Sequence, residues 1–328
     1  METIYYLIQG TLPVAIPLLL VALGGMFSER SGVINIGLEG IMLTGAFLGC
    51  VFVYLIEGSG MNAQLMLILA MIVAAAAGII YSFMLAFAAI NMKADQTIVG
   101  TAMNMLIPAA ILLFAKMKLG SDGVTTSVFF YVREVPGLSK IPVIGDLFFK
   151  NTYITVYIGL VLLAVAVVVF YKTRFGLRLR ACGEHPSAAD SVGINVEKMR
   201  WAGVTISGFL GGIGGFFYAV GVTDGNCNGH TGVAGFGFLA LAVMIFGNWT
   251  PLSTAIAAVL FGLFKCIAAT YASIDINGDG VAMLAQIGVS PYVYRLLPYL
   301  ITLVVLAFTS KNSRVPKAEG IPYDKGSR

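Results

Sequence analysis

The sequence predicts an all-α polytopic membrane protein. It has about eight to ten transmembrane helices, some of them broken or re-entrant half-helices, and a small extracytoplasmic cap. Three observations predict this. First, 58% of the 328 residues are hydrophobic and only 11% are charged, where a soluble chain carries about 25% charged residues. Second, apolar runs recur at roughly the length that crosses about 30 Å of hydrocarbon. Third, thirteen of the 20 Lys and Arg fall in four places: the turn at Arg30, the turn at Lys93, the loop 172–200 and the tail 310–328. Five others lie in the connection 116–151, which is the asymmetry expected when the first four places face the cytoplasm. The whole chain is thus one membrane domain, 1–328. Its net charge of +4 sits in loops and does not indicate nucleic acid.

Taken in order, Ile4 to Phe27 is the first span, bent at Pro13 and Pro17. Ser28 to Gly49 is interrupted by Gly32, Gly37, Gly40 and Gly45, and the clean run that follows, Ile41 to Ile56, is short for a span. This stretch is expected to enter the membrane as a broken helix lining a cavity. If helical, it sets Asn35 and Glu39 four apart on one face. A cytoplasmic turn with Glu39 at the interface is the other reading. Ala63 to Ile90 spans next. Gln96 to Ala115 is a span whose first half carries a polar stripe, Gln96, Thr97, Thr101 and Asn104, for interhelical bonding or for contact with a solute. Residues 116–151 form the cap, with strand-like Val124 to Val132. Thr152 to Tyr171 spans and leads to the basic loop.

Within that loop Pro186 to Val192 reads as a short helix, with proline at its start and Gly193 at its end. Its face, Ala188 and Ala189, is small and flanked by Arg178, Arg180 and Glu184. Such an element suits a docking plug for a soluble partner; a loop that only sets topology is the alternative. Trp201 to Val222 holds Gly208, Gly211, Gly212, Gly214 and Gly215, a close-packing surface. Phe236 to Phe246 is too short to cross and is cut by the sequence GNWTP; Leu252 to Tyr271 and Pro291 to Thr309 cross. The loop parity requires that the short piece goes in and the next span returns. Lys265 and Arg295 lie inside spans; Arg295 can snorkel, while for Lys265 snorkelling and a cavity both remain open.

No nucleotide-binding phosphate loop, Ser/His/Asp set, metal-spaced Cys/His cluster or dinucleotide fingerprint occurs. The four cysteines are scattered, and His185 and His230 stand in separate loops. The chain is therefore expected to be a transport subunit and not an enzyme, with no metal site and no bound cofactor. Intramembrane carboxylates are few, Glu39 foremost, which weighs against an ion-coupled carrier and favours a neutral polar solute.

Three stretches, SGVINIGLEGIMLTGAF, RFGLRLRACGEHPSAADSVGINV and GFGFLALAVMIFGNWTPL, together with the basic tail SRVPKAEGIPY, closely resemble permease subunits of bacterial ABC importers. The likeness is to the superfamily that includes ribose and branched-chain amino-acid permeases, and within it to the purine nucleoside branch. It implies a multi-pass protein of the bacterial inner membrane. It also implies a second, different permease, two ATPase domains that bind ATP and Mg, and a substrate-binding lipoprotein outside. By that resemblance Arg178, Arg180, Gly183, Glu184, Ala188, Ala189 and Gly193 match the cytoplasmic coupling segment, and Asn35, Glu39 and Asn104 match polar positions of the membrane core. Ribose-like sugars or branched-chain amino acids are the alternative substrates. A stand-alone channel or secondary carrier is the alternative class.

Overall fold

The computed structural model describes residues 2–134, 149–229, 232–270 and 314–325, with isolated positions between them. Ten α-helices lie among these residues: α1 (Glu2–Glu29), α2 (Leu38–Ile56), α3 (Ala63–Ala86), α4 (Gln96–Leu119), α5 (Ile154–Lys172), α6 (Arg174–Glu184), α7 (Pro186–Ser191), α8 (Val196–Gly221), α9 (Phe236–Phe246) and α10 (Pro251–Thr270). Seven of them are long and apolar enough to cross a membrane: α1 to α5, α8 and α10. The predicted span 291–309, with Arg295, lies outside the described residues, as do His230 and most of 135–148.

Helix starts follow the local chemistry. Asn62, Asp95, Thr173 and Asn195 each accept a backbone N–H of the first turn of α3, α4, α6 and α8, which satisfies groups the helix itself leaves free. Pro13 and Pro17 are accommodated inside α1.

The centre of the bundle is α8, packed against α1, α2 and α3. A Cβ on Gly212 would collide with the Ala74 carbonyl of α3, and one on Gly215 with the Met42 carbonyl of α2. Gly45 of α2 and Gly78 of α3 both abut Gly212 of α8. Lipid gives no hydrophobic drive for helix association, so contact between backbones supplies much of the cohesion. The predicted close-packing role of this glycine stretch is what the structure shows.

The stretch 28–49 departs from the expected broken helix and has the turn and regular helix of the other reading. Its backbone is irregular only up to Gly37, and α2 then runs as a complete 19-residue helix. Asn35 therefore precedes the helix and does not share a face with Glu39. The glycines and Asn35 leave the early part without helical hydrogen bonds, and side chains hold it instead. The short piece Phe236–Phe246 is a half-helix with the predicted bounds.

The end expected to be extracytoplasmic carries two small antiparallel sheets. β1 (Gly123–Thr125) pairs with β4 (Asn226–Asn228), and β2 (Tyr131–Glu134) pairs with β3 (Lys150–Tyr153). The expected strand over Val124 to Val132 is thus two strands with different partners. The opposite end gathers the cationic loops. Arg30 meets Glu184 at 3.4 Å, Lys93 meets Asp324 at 3.0 Å, and the Arg200 guanidinium donates to the Ile321 carbonyl at 2.9 Å. The four places assigned to one side by charge therefore share one face.

Candidate functional site

Two irregular segments lie beside the start of α2. The first, residues 30–37, climbs beside α4. The Gln96 side-chain oxygen accepts the Ile34 N–H at 2.7 Å, and Asn104 both accepts the Gly40 N–H and donates to the Ile36 carbonyl, each at 2.8 Å. Gln96 and Asn104 are eight residues apart, so the loop rises about 12 Å along the helix axis. The second segment leads into α9. Gly229 lies against the Pro108 carbonyl and Leu112 of α4, and Gly235, at φ +77°, turns the chain into the half-helix.

Glu39 joins the two segments. Its carboxylate accepts the Gly235 N–H at 2.9 Å and the Gly237 N–H at 2.6 Å. It thereby caps the start of α9 with the charge that a helix N-terminus favours. No side-chain cap comes from Gly235 itself, so the cap is supplied from another helix, 196 residues away in sequence. Lys265 of α10 sits over the Phe236 ring, 5.1 Å from its centre, at the same place. Of the two readings open for Lys265, it faces into the bundle.

The other predicted path residues divide. Asn35 is fully buried and donates to the Ser207 hydroxyl of α8 at 2.8 Å. Its Oδ1 and the Gln96 Nε2 are buried without a partner among the described residues. Thr97 and Thr101 do not join this cluster: both are exposed on the outer side of α4, and the Thr101 hydroxyl donates back to the Thr97 carbonyl at 2.7 Å. The polar stripe thus splits between bonds inside the subunit and a face this chain leaves uncovered.

At the end that gathers the cationic loops, the residues expected to form the coupling segment also divide. Arg178, Ala188 and Gly193 are exposed, and Pro186 opens α7 at its first turn. Gly193, at φ +84°, ends the helix in a conformation other residues avoid. The outward surface is completed by Val192, 74% exposed, and Leu177, 63% exposed. Four others hold the segment in place. Ala189 is buried with Cys182 and Val196, and Gly183 lies against the Arg30 carbonyl where no Cβ fits. Glu184 pairs with Arg30, and Arg180 stacks over Phe170 at 5.0 Å.

Sequence reasoning missed the residues that organise this face. Residues 314–325 form a strap across it. The strap bonds to Asn248 through the Arg314 N–H, to Gly183 through the Ala318 N–H and to Gly32 through the Gly320 N–H. Beneath it Trp249 donates to Glu29 at 2.6 Å, and Arg30 donates to the Trp249 carbonyl at 3.1 Å. The signal in the sequence was faint: Pro316 and Gly320 in an otherwise charged tail.

Burial pushes the Glu319 carboxyl up to about 7, although its hydrogen bond with Glu29 and the charge of Arg30 pull it down. A docked carboxyl that holds its proton more tightly than an undocked one, near 4.3, docks less well as pH rises through that interval, and levels off above about 7. Hydrogen exchange at the Ala318 and Gly320 amides, corrected for intrinsic rate, is therefore expected to show weaker protection at pH 8 than at pH 6. The Glu319→Gln variant should show no such difference; equal pH dependence in both would exclude Glu319 as the titrating group.

Among the described residues no group of three or more His, Cys, Asp or Glu side chains is placed to hold a metal. Residues 7–306 match the family described as branched-chain amino acid transport system / permease component. The chain is 42% identical over 326 residues to the guanosine ABC transporter permease protein NupQ of Bacillus subtilis, covering 98% of this chain and 97% of that one. It is 39% identical to the nucleoside ABC transporter permease protein NupC of Lactococcus lactis, covering 99% and 98%. It is 31% identical to a putative glucose ABC transporter permease protein, TsgC13, of Haloferax volcanii, covering 92% and 91%. No solved structure matches.

Proposed function

The chain belongs to the family of permease components of branched-chain amino acid transport systems, and on that premise we propose that its substrate is a nucleoside. It is the membrane subunit of an ATP-driven importer in the bacterial inner membrane, a transport component and not an enzyme, and it works with ATPase and substrate-binding components. The observation that carries the substrate reading is the likeness, over nearly the whole chain, to two permeases named for guanosine and nucleosides. The polar groups of the membrane core are amides, hydroxyls, the Glu39 carboxylate and the Lys265 ammonium, and most are engaged within the subunit, so the substrate reading rests on the likeness and not on this set.

The pathway in this reading runs between this chain and a second, different permease. Within the subunit the polar core is closed around its own backbone, whereas Thr97 and Thr101 face outward with Met105, 73% exposed, and Ile98, 68% exposed. The Thr101 hydroxyl is satisfied within its own helix, and this uncovered face is where the second permease would pack. The exposed surface of α6 and α7, with Arg178 and Ala188, is the docking point for the ATPases, which bind the ATP and Mg. A lipoprotein outside delivers the substrate.

A sugar is the second reading, favoured by the likeness to the putative glucose permease. Uptake of labelled inosine by cells making the whole system, with and without this chain, distinguishes them. The expected result is loss of uptake without the chain, with competition by guanosine and adenosine but not by ribose, glucose or leucine. Chain-dependent uptake of a sugar or leucine, with none of inosine, would overturn the substrate.

A further inference from the structure

A cavity of about 500 Å³ opens on the cytoplasmic face beside the coupling segment. It is lined by four cations, Arg30, Arg180, Arg314 and Lys317, and by one carboxylate, Glu184, together with Phe170, Tyr171 and Thr250. Glu184 is engaged by Arg30 at 3.4 Å. The Arg30 guanidinium also donates to two carbonyls, those of Trp249 and Asn248. Arg180 is held over the Phe170 and Tyr171 rings and donates to the Gly176 carbonyl at 3.3 Å. Arg314 and Lys317 are exposed and reach the cavity from the strap. The Thr250 hydroxyl donates to the Gly247 carbonyl at 2.9 Å and adds no free donor.

One carboxylate leaves three positive charges in a concave site, an arrangement that concentrates anions. Four cations drawn from the turn after α1, from α6 and from the strap repel one another, and an anion between them removes that repulsion. Guanidinium groups fit phosphate oxygens in pairs. The height of the cavity is set by Phe170 and Tyr171, in the last turn of α5, where the membrane span ends at Lys172. There the hydrocarbon gives way to headgroups, and aromatic rings sit well at that level.

We propose that this cavity binds a phosphate-bearing anion, at the height of an anionic phospholipid headgroup, and that the bound anion ties the strap to the coupling segment. Neither transport nor ATPase docking, as described above, calls for such a site. The shared chemistry is phosphate; the source is either a lipid of the inner leaflet or a free phosphate of the cytosol.

The test uses the assembled importer in nanodiscs. With equal parts phosphatidylcholine and phosphatidylglycerol, native mass spectrometry counts the phosphatidylglycerol retained by the complex carrying the natural chain and by the Arg314→Gln/Lys317→Gln double variant. Both side chains are exposed, so folding is not at stake, and Lys317→Arg, which keeps the charge, serves as a control. Retention is expected to fall about fivefold for each cation removed, at the strength of a cation near an anionic surface, and to persist in Lys317→Arg. In nanodiscs of phosphatidylcholine alone, titration with inorganic phosphate reads the second source. Binding that is lost in the double variant would assign the site to free phosphate. Retention equal in natural and double-variant complexes, with no phosphate binding, would overturn the proposal.

Discussion

Replacing Ala188 with arginine is expected to reduce ATP-driven uptake about tenfold or more while leaving the permease folded. Ala188 is exposed on α7 between exposed Ser187 and the buried Ala189, so the new side chain points away from the bundle. A partner surface shaped for a methyl group must then admit a long cation. Overfilling a packed contact costs about 1–3 kcal/mol, and about 1.4 kcal/mol is a factor of ten. Uptake by membrane vesicles, co-purification of the ATPase subunit and the thermal unfolding midpoint together check it. Weak co-purification with an unchanged midpoint is the expected pattern. Normal uptake in an assembled complex would remove α7 from the coupling route. Ala189→Arg is the informative contrast, because Ala189 is 4% exposed and packs with Cys182 and Val196; that variant should lower the midpoint itself.

Glu39→Ala is expected to be the more damaging change inside the membrane. The substitution removes both acceptors of the Gly235 and Gly237 N–H groups. Hydrogen bonds to a charged group contribute about 1.5–3 kcal/mol each, and a buried donor left alone carries its full desolvation cost. Loss of roughly 3 kcal/mol or more at this point should unseat the start of α9 and abolish transport. Glu39→Gln retains one acceptor oxygen and should fall between the two. Uptake per assembled complex, with thiol labelling of a cysteine placed at Leu239, which is buried on α9, reads both effects. Uptake unchanged in Glu39→Ala would show that capping α9 is dispensable.

Much of this architecture was readable from residue order, and the reasons are local. Proline at the first position of α7 and glycine just past its end are backbone requirements that act within a few residues. The half-helix α9 was marked by its 11-residue length between glycines and the GNWTP break. The charge asymmetry placed four loops on one face, and the ion pairs among them agree.

What stayed hidden was decided by contacts between distant parts of the chain. Asn35 looked like a helical neighbour of Glu39 by spacing, but the loop before α2 takes its hydrogen bonds from α4 and α8, which spacing along the chain does not encode. Thr97 and Thr101 shared a stripe with Gln96 and Asn104, yet the rotation of α4 against its neighbours turned them outward. The strap is held largely through its own main-chain groups, and backbone groups have no side-chain signature. Arg200 is 1% exposed because the strap covers it, so its burial was no more legible than the strap itself.

The strap also sets how force travels. It is fastened to the turn before α10 at Asn248, to α6 at Gly183, to the loop after α1 at Gly32 and to α8 through Arg200. Springs joined in a row share a displacement, and the softest absorbs most of it. Ties laid side by side move together and leave none of them slack. With 314–325 in place, a push delivered at α7, the proposed docking point, would reach the foot of α9 through the ties at Gly183 and Asn248, and the other end of that half-helix rests on Glu39. Residues that look like a loose terminal tail thus act as a crossbar, and the stiffness of the cytoplasmic end is a property of the strap as much as of the helices it binds.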